Sequence, residues 1–164
     1  MIWLGLVLLI LACFGYVLLF GAPYLPTLQP QITAALDLAD LKSGQTLLEL
    51  GCGDGRVVLA AARRGLKVTG YELNPLLAGV AWLRTIKYRQ QVTIRCRDFW
   101  RADWPPAAAI FTFLLPKYMS KLDKKVERFA RQQGRPVKLI SFAFQVPAKP
   151  AVAERQGVRL YLYR

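Results

Sequence analysis

Residues 46–59 read TLLELGCGDGRVVL. The first five are a short apolar run of strand type, and glycine then occupies positions 51, 53 and 55. An Ala-rich stretch, RVVLAAARR over 56–64, follows as a helix with Gly65 as its stop. A glycine-rich turn between a first strand and a helix is the ligand-binding corner of an open α/β sheet. Two phosphate-binding forms of that corner are excluded. A dinucleotide fingerprint needs glycine or alanine where this chain has Arg56, and Asp54 inside the loop would repel a pyrophosphate. A P-loop needs a Gly-Lys-Ser/Thr ending that is absent. Glu49 and Asp54 bracket the loop instead, which suits a ligand carrying positive charge.

Strand and helix patterns alternate outward from this corner. LKVTGYE (66–72) reads as a second strand, and Asn74-Pro75 opens a helix running through Tyr88. VTIRC (92–96) is a third strand and AAIFTFLL (108–115) a fourth, apolar as a central buried strand should be. Residues 117–133 carry Met119, Leu122, Val126 and Phe129 on one helical face, with Lys and Arg on the other. VKLISFAF (137–144) is a fifth strand and VRLYLY (158–163) a last one. Residues 31–41 have helical spacing ahead of the first strand. Such alternation predicts a mostly parallel, doubly wound sheet with right-handed crossovers. No helix-length segment separates the last two strands, so that pair is expected to be antiparallel at the sheet's C-terminal edge.

Carboxylates recur at the strand ends. Glu72 closes the second strand, 21 residues past Gly51, where an acidic side chain reaches ribose hydroxyls in doubly wound folds. Asp98 follows the third strand, where an adenine amino group would lie. Taken singly, each is an ordinary cap or turn residue. Taken together and in this order, they fit S-adenosylmethionine, whose sulfonium and ammonium groups favour nearby carboxylates.

The rest of the chain divides by charge. It has 164 residues and a formal net charge of +13, yet residues 1–36 contain no Asp, Glu, Lys or Arg. MIWLGLVLLILACFGYVLLFG opens the chain, and an uncharged apolar run of that length matches a bilayer core of about 30 Å. Residues 1–22 are therefore expected to form a transmembrane helix, residues 23–30 a linker and residues 31–164 one catalytic-type domain. Membrane attachment is assigned to residues 2–21. All 23 basic side chains lie from Lys42 onward, which places the domain on the cytoplasmic side and beside anionic headgroups. An Arg-rich presequence is missing, so a bacterial inner membrane is expected rather than a mitochondrial one. The three cysteines form no Cys-x-x-Cys pair and the chain has no His, so no metal site is expected.

LLELGCGDGRVVLAAARRG followed by VTGYELNP resembles the class I S-adenosylmethionine-dependent methyltransferases. YLPT, DFW, FLLPKYMSKLDKKVERF and LISFAF narrow the resemblance to a small group of protein-lysine methyltransferases. That group includes the membrane-anchored enzymes modifying the adenine nucleotide translocase and the c-ring protein of ATP synthase, and small archaeal relatives. The resemblance implies a Rossmann-like methyltransferase sheet with S-adenosyl-L-methionine as cofactor. It implies a pocket shaped by Glu49, Gly51 and Gly53, together with Cys52, Asp54 and Gly55. Glu72 would hold the ribose, with Leu73 and Asn74 beside it, and Asp98 and Phe99 would flank the adenine. Thr27 would approach the methionine end. Leu114, Leu115 and Pro116 would line the channel for the target amine, the carbonyls of Leu115 and Pro116 orienting it, with Tyr118 and Asp98 as further polar candidates. The implied partner is a lysine on a membrane protein. Methyltransferases acting on base amines of nucleic acid usually carry an [Asp/Asn]-Pro-Pro-aromatic motif where this chain reads FLLP, so nucleic acid is not the expected partner. A lipid-like small molecule, or a scaffold that binds cofactor without catalysis, are the other readings.

Overall fold

The computed structural model describes residues 25–147 and 149–164, together with Trp3. The expected span over residues 1–22 falls outside the described residues, apart from Trp3. Among the described residues, no helix is long and apolar enough to cross a membrane.

Helix α1 (Gln29–Ala39) leads into β1 (Thr46–Leu50), α2 (Arg56–Arg63), β2 (Lys67–Glu72) and α3 (Pro75–Thr85). A turn of 3₁₀ helix at Ile86–Tyr88 is followed by β3 (Val92–Cys96) and β4 (Ala109–Thr112). The chain then forms α4 (Pro116–Gln133), β5 (Val137–Phe142), β6 (Ala153–Arg155) and β7 (Val158–Tyr163). Seven strands make one sheet in the order β3-β2-β1-β4-β5-β7-β6. The first five pair in parallel, and β7 pairs antiparallel with both β5 and β6. The strand order reverses between β1 and β4, and the crevice beyond their C-terminal ends is the topological switch point where such sheets bind ligands.

Each face of the sheet is covered. Ile32 of α1, Val58 of α2 and Ala81 of α3 join Leu47, Phe111 and Ile140 in one buried cluster. Met119, Leu122 and Val126 of α4 join Leu48, Tyr71, Ile110 and Leu139 in the other. The inward stripe expected on α4, with Phe129, is buried throughout. Burying each such side chain contributes about 1.5–3 kcal/mol.

Differences from the sequence pattern have local causes. Helix α1 starts at Gln29 rather than residue 31, because Pro30 pre-sets the first turn, and it stops at Ala39 because Asp40 turns left-handed at φ 43°. Strand β4 covers only part of 108–115. Its partner β1 leaves the ladder after Leu50, where Gly51 adopts φ +81°, so Phe113 has no β1 residue to pair with. Strand β5 ends at Phe142 because Ala143 takes φ 66°. The expected helix to Tyr88 tightens after Thr85, whose hydroxyl donates back to the Ala81 carbonyl at 2.8 Å. Strand β6 has no counterpart in the sequence pattern. It pairs with β7 through a two-residue turn, Gln156-Gly157, with both residues at positive φ.

Candidate cofactor site

Every candidate carboxylate reaches the same edge of the sheet. Glu49 lies one residue from the end of β1, Glu72 ends β2, and Asp98 follows β3. The segment Leu114-Leu115-Pro116 leaves β4 at that edge and opens α4.

The glycine loop is held from behind. The amides of Gly51 and Cys52 both donate to the Tyr71 carbonyl, at 2.9 and 2.8 Å. The Gly53 amide donates to Glu72 Oε2 at 2.8 Å. These N–H groups therefore face β2 and do not point toward a phosphate, in agreement with the failed dinucleotide fingerprint. Gly51, Gly53 and Gly55 all have positive φ. A side chain at Gly51 would meet only open space, so the loop's outer surface is accessible. Gly55 is needed for packing: its Cβ would stand 2.9 Å from Ala81 Cβ, where α2 and α3 meet. Gly70 serves Cys52 in the same way, since a Cβ there would lie 2.9 Å from Cys52 Sγ.

Glu72 accepts a second backbone hydrogen bond, from the Asn74 amide at 2.8 Å. A carboxylate has about four lone-pair positions, so two remain for hydroxyl donors. Asn74 is fully buried and caps α3, its Oδ1 accepting from Leu76 N at 2.9 Å. Glu49 is buried too. Burial pushes its carboxyl well above the usual range, the Val58 amide opposes that shift, and the charges of Glu72 and Asp54 add to it. Glu49 Oε2 and Asn74 Nδ2 are buried without a hydrogen-bond partner among the described residues. Such orphaned polar atoms are uncommon in folded proteins. An unpaired carboxylate oxygen on the binding edge suits a ligand with a cationic donor, so the residues fit the expected cofactor.

Asp54 takes a different place from the one its position in the loop suggests. Its Oδ2 accepts from Arg56 Nε at 2.9 Å and from Arg84 Nη1. Burial alone would push the Asp54 carboxyl up, but both guanidiniums outweigh it and hold the group below its ordinary value. The carboxylate pins the loop to α2 and α3, and its charge is already balanced. Arg84 lies 30 residues away in sequence and no local pattern marks it.

The remaining candidates divide. Cys52 is buried, and its thiol is pushed up by burial and then by Glu49 and Glu72, so it packs as a neutral side chain. Asp98 is half-buried; its Oδ1 accepts from the Trp100 amide at 2.8 Å, with Arg101 3.8 Å away. Phe99 packs on Trp100 with ring centres 4.7 Å apart. Thr27 is buried just ahead of α1, and Leu73 is half-buried beside Glu72. Leu115 is the N-cap of α4 and its carbonyl already accepts from Tyr118 N at 3.0 Å, leaving one lone pair. Pro116, as the first residue of α4, aims its carbonyl along the helix. The Tyr118 ring rests 6.1 Å from Trp100, with Lys117 Nζ 4.9 Å above it.

Residues 49–153 match the ANTKMT methyltransferase domain family. The chain belongs to this family. The Homo sapiens lysine N-methyltransferase of the ATP synthase c-ring protein is 32% identical over 117 residues, covering 69% of this chain and 49% of that protein. Adenine nucleotide translocase lysine N-methyltransferase of Mus musculus is 33% identical over 108 residues, covering 64% and 47%. The chain thus spans about half the length of the curated relatives it matches. An RNA methyltransferase from Salinibacter ruber, solved with S-adenosyl-L-homocysteine, superposes with a TM-score of 0.73 at 26% identity, covering 85% of this chain and 92% of that one. The Rossmann-like methyltransferase fold expected from the sequence is therefore the one observed.

Proposed function

We propose that this ANTKMT-family chain is an S-adenosylmethionine-dependent protein-lysine N-methyltransferase acting on a membrane protein. The observation that carries the cofactor assignment is the pair of buried carboxylates, Glu49 and Glu72, at the switch point beside a loop whose amides face inward. The target assignment is supported by relatives named for lysine methylation of two membrane-associated proteins. The uncharged residues 2–21 serve as the anchor, and the basic domain lies on the cytoplasmic face.

Bound in this site, S-adenosylmethionine supplies an electrophilic methyl group on a sulfonium. Glu49 offers its unpaired oxygen to the ammonium end, and Glu72 offers its remaining lone pairs to the ribose hydroxyls. Asp98 and Phe99 border the adenine. The mouth formed by Leu114, Leu115 and Pro116 is apolar and strips water from the incoming lysine. Its reference pKa near 10.4 falls when the charged form is desolvated, so the amine loses its proton to solvent before transfer. The second lone pair of the Leu115 carbonyl can hold an N–H of that amine in line. Placement of the lone pair about 3–3.5 Å from the methyl carbon supplies most of the acceleration, and no dedicated base is needed.

A second reading, methylation of RNA, is favoured by the Salinibacter ruber neighbour and by the basic surface. One experiment separates them. Tritiated S-adenosylmethionine and the full-length enzyme are added to membranes and to total RNA from the source organism lacking the gene. Label on one membrane protein, abolished by Lys→Arg at a single position there, is the expected result. Label confined to RNA, or to extracted lipid, overturns the proposal.

A further inference from the structure

Helix α3 carries an unusual outer surface. Ala78, Ala81 and Thr85 face the sheet and are buried. On the opposite arc Leu76, Val80, Trp82 and Leu83 are exposed, continued by Ile86, with Leu83 at 62% and Trp82 at 54%. These five are half of the ten large apolar side chains exposed among the described residues. Scattered exposed leucines need no explanation, but a contiguous apolar patch on one element marks a contact surface.

The charge around this patch has one sign. From Leu73 to Arg97 there is no Asp or Glu, while Arg84, Lys87, Arg89, Arg95 and Arg97 are basic. Arg84 is engaged with Asp54. Lys87 and Arg89 extend the helix end, and Arg95 and Arg97 stand exposed on β3 and just after it, at the open edge of the sheet. An apolar helical face bordered by Lys and Arg, with a tryptophan at its margin, is the pattern of a helix lying in a membrane interface. The basic rim matches anionic headgroups.

We propose that the outer face of α3 lies on the surface of an anionic lipid bilayer. This contact is separate from the apolar N-terminal residues and independent of the methyl acceptor. It turns the sheet's binding edge sideways, because α3 runs from that edge at Asn74 to the far edge at Thr85. The site then opens along the bilayer plane, at the level of the headgroups.

The test uses the full chain reconstituted in vesicles whose phosphatidylglycerol carries bromine on its acyl chains, which quenches tryptophan in contact with them. The emission of Trp82 is the difference between wild type and Trp82→Phe, and circular dichroism checks that both are folded. The expected result is at least twofold quenching of that difference in brominated phosphatidylglycerol. The quenching should be lost in Leu83→Glu and reduced by high salt, which screens the rim. Equal Trp82 emission in brominated and unbrominated vesicles overturns the proposal, and so does quenching indifferent to salt and to phosphatidylglycerol. Protection of Trp82 that depends on protein concentration in detergent also overturns it, since a second copy would then cover the face.

Discussion

Glu72 Oε2 accepts the Gly53 amide at 2.8 Å, so the carboxylate ending β2 also shapes the turn after β1. Two effects are thereby joined in one side chain. Glu72→Ala leaves the Gly53 and Asn74 amides without their acceptor, each costing about 1–3 kcal/mol if water cannot replace it. It also removes the oxygens offered to the ribose. Thermal melting should fall, and cofactor affinity should drop about a hundredfold, roughly 2.7 kcal/mol. Glu72→Gln keeps one amide acceptor and should recover part of the melting temperature and less of the affinity. Equal affinity in wild type and Glu72→Ala by calorimetry would remove Glu72 from the site.

Asp54 and Arg84 provide a second test, because the pair ties the loop to α3. Asp54 is buried, whereas Arg56 is 40% exposed, so solvent screens the Arg56 contact more strongly. Asp54→Asn should cost about 2 kcal/mol, between the values for surface and fully buried pairs. A double-mutant cycle with Arg84→Ala should show coupling of about 1 kcal/mol. The depressed Asp54 carboxyl contributes stability that is present above its unfolded pKa, near 3.9, and is lost as pH falls through its lower folded value. The destabilisation by Asp54→Asn should therefore shrink in strong acid. Constant destabilisation down to acid unfolding would count against the ion pair.

Gly55 tests the packing of the loop against α3. An added Cβ would stand 2.9 Å from Ala81 Cβ and 3.0 Å from Ala81 Cα, at φ +79°. The left-handed conformation alone costs a non-glycine residue about 1–2 kcal/mol. Gly55→Ala should lower stability by about 3 kcal/mol, strain and overpacking together. Adding Ala81→Gly removes the side-chain clash but neither the backbone contact nor the φ strain, so rescue should be partial. Full rescue in chemical denaturation would show that the turn tolerates alanine and that only the methyl contact mattered.

The sheet was legible because its signals are local. Five parallel strands, their helices and the antiparallel last pair follow from apolar runs broken by Gly and Asn-Pro. Strand β6 was hidden because its turn is Gln156-Gly157, and glutamine lacks the short side chain that makes Asn-Gly a recognisable hairpin turn. The end of β4 was hidden because it depends on where β1 turns away, a relation across the sheet. The same distinction holds in the site. Positions at strand ends placed Glu49, Glu72 and Asp98 at one edge, since strand ends in a parallel sheet converge there. The engagement of Asp54 by Arg84 spans 30 residues and depends on helix packing that no short pattern carries. Asp54 therefore read as a counter-charge for the ligand, and the fold uses it as a clamp.

Glu49 gives the last prediction. Burial raises its carboxyl well above the usual range, so the folded, ligand-free protein favours the protonated form. The stability from this group is complete below its unfolded pKa, about 4.3, and is lost as pH rises through the folded value. Glu49→Gln fixes a neutral isostere and should remove that loss. The ligand-free variant should melt above wild type at neutral and higher pH, and the two should converge in acid. Cofactor binding should show the opposite. A cationic ammonium beside Oε2 favours the carboxylate, so wild type should release a proton on binding, seen as a dependence of calorimetric enthalpy on buffer ionisation heat. Glu49→Gln should lose that proton release and bind at least tenfold more weakly, about 1.4 kcal/mol. If Glu49→Gln instead melts below wild type at every pH and leaves cofactor affinity unchanged, Glu49 is a structural carboxylate, and the unpaired oxygen has no role in recognition.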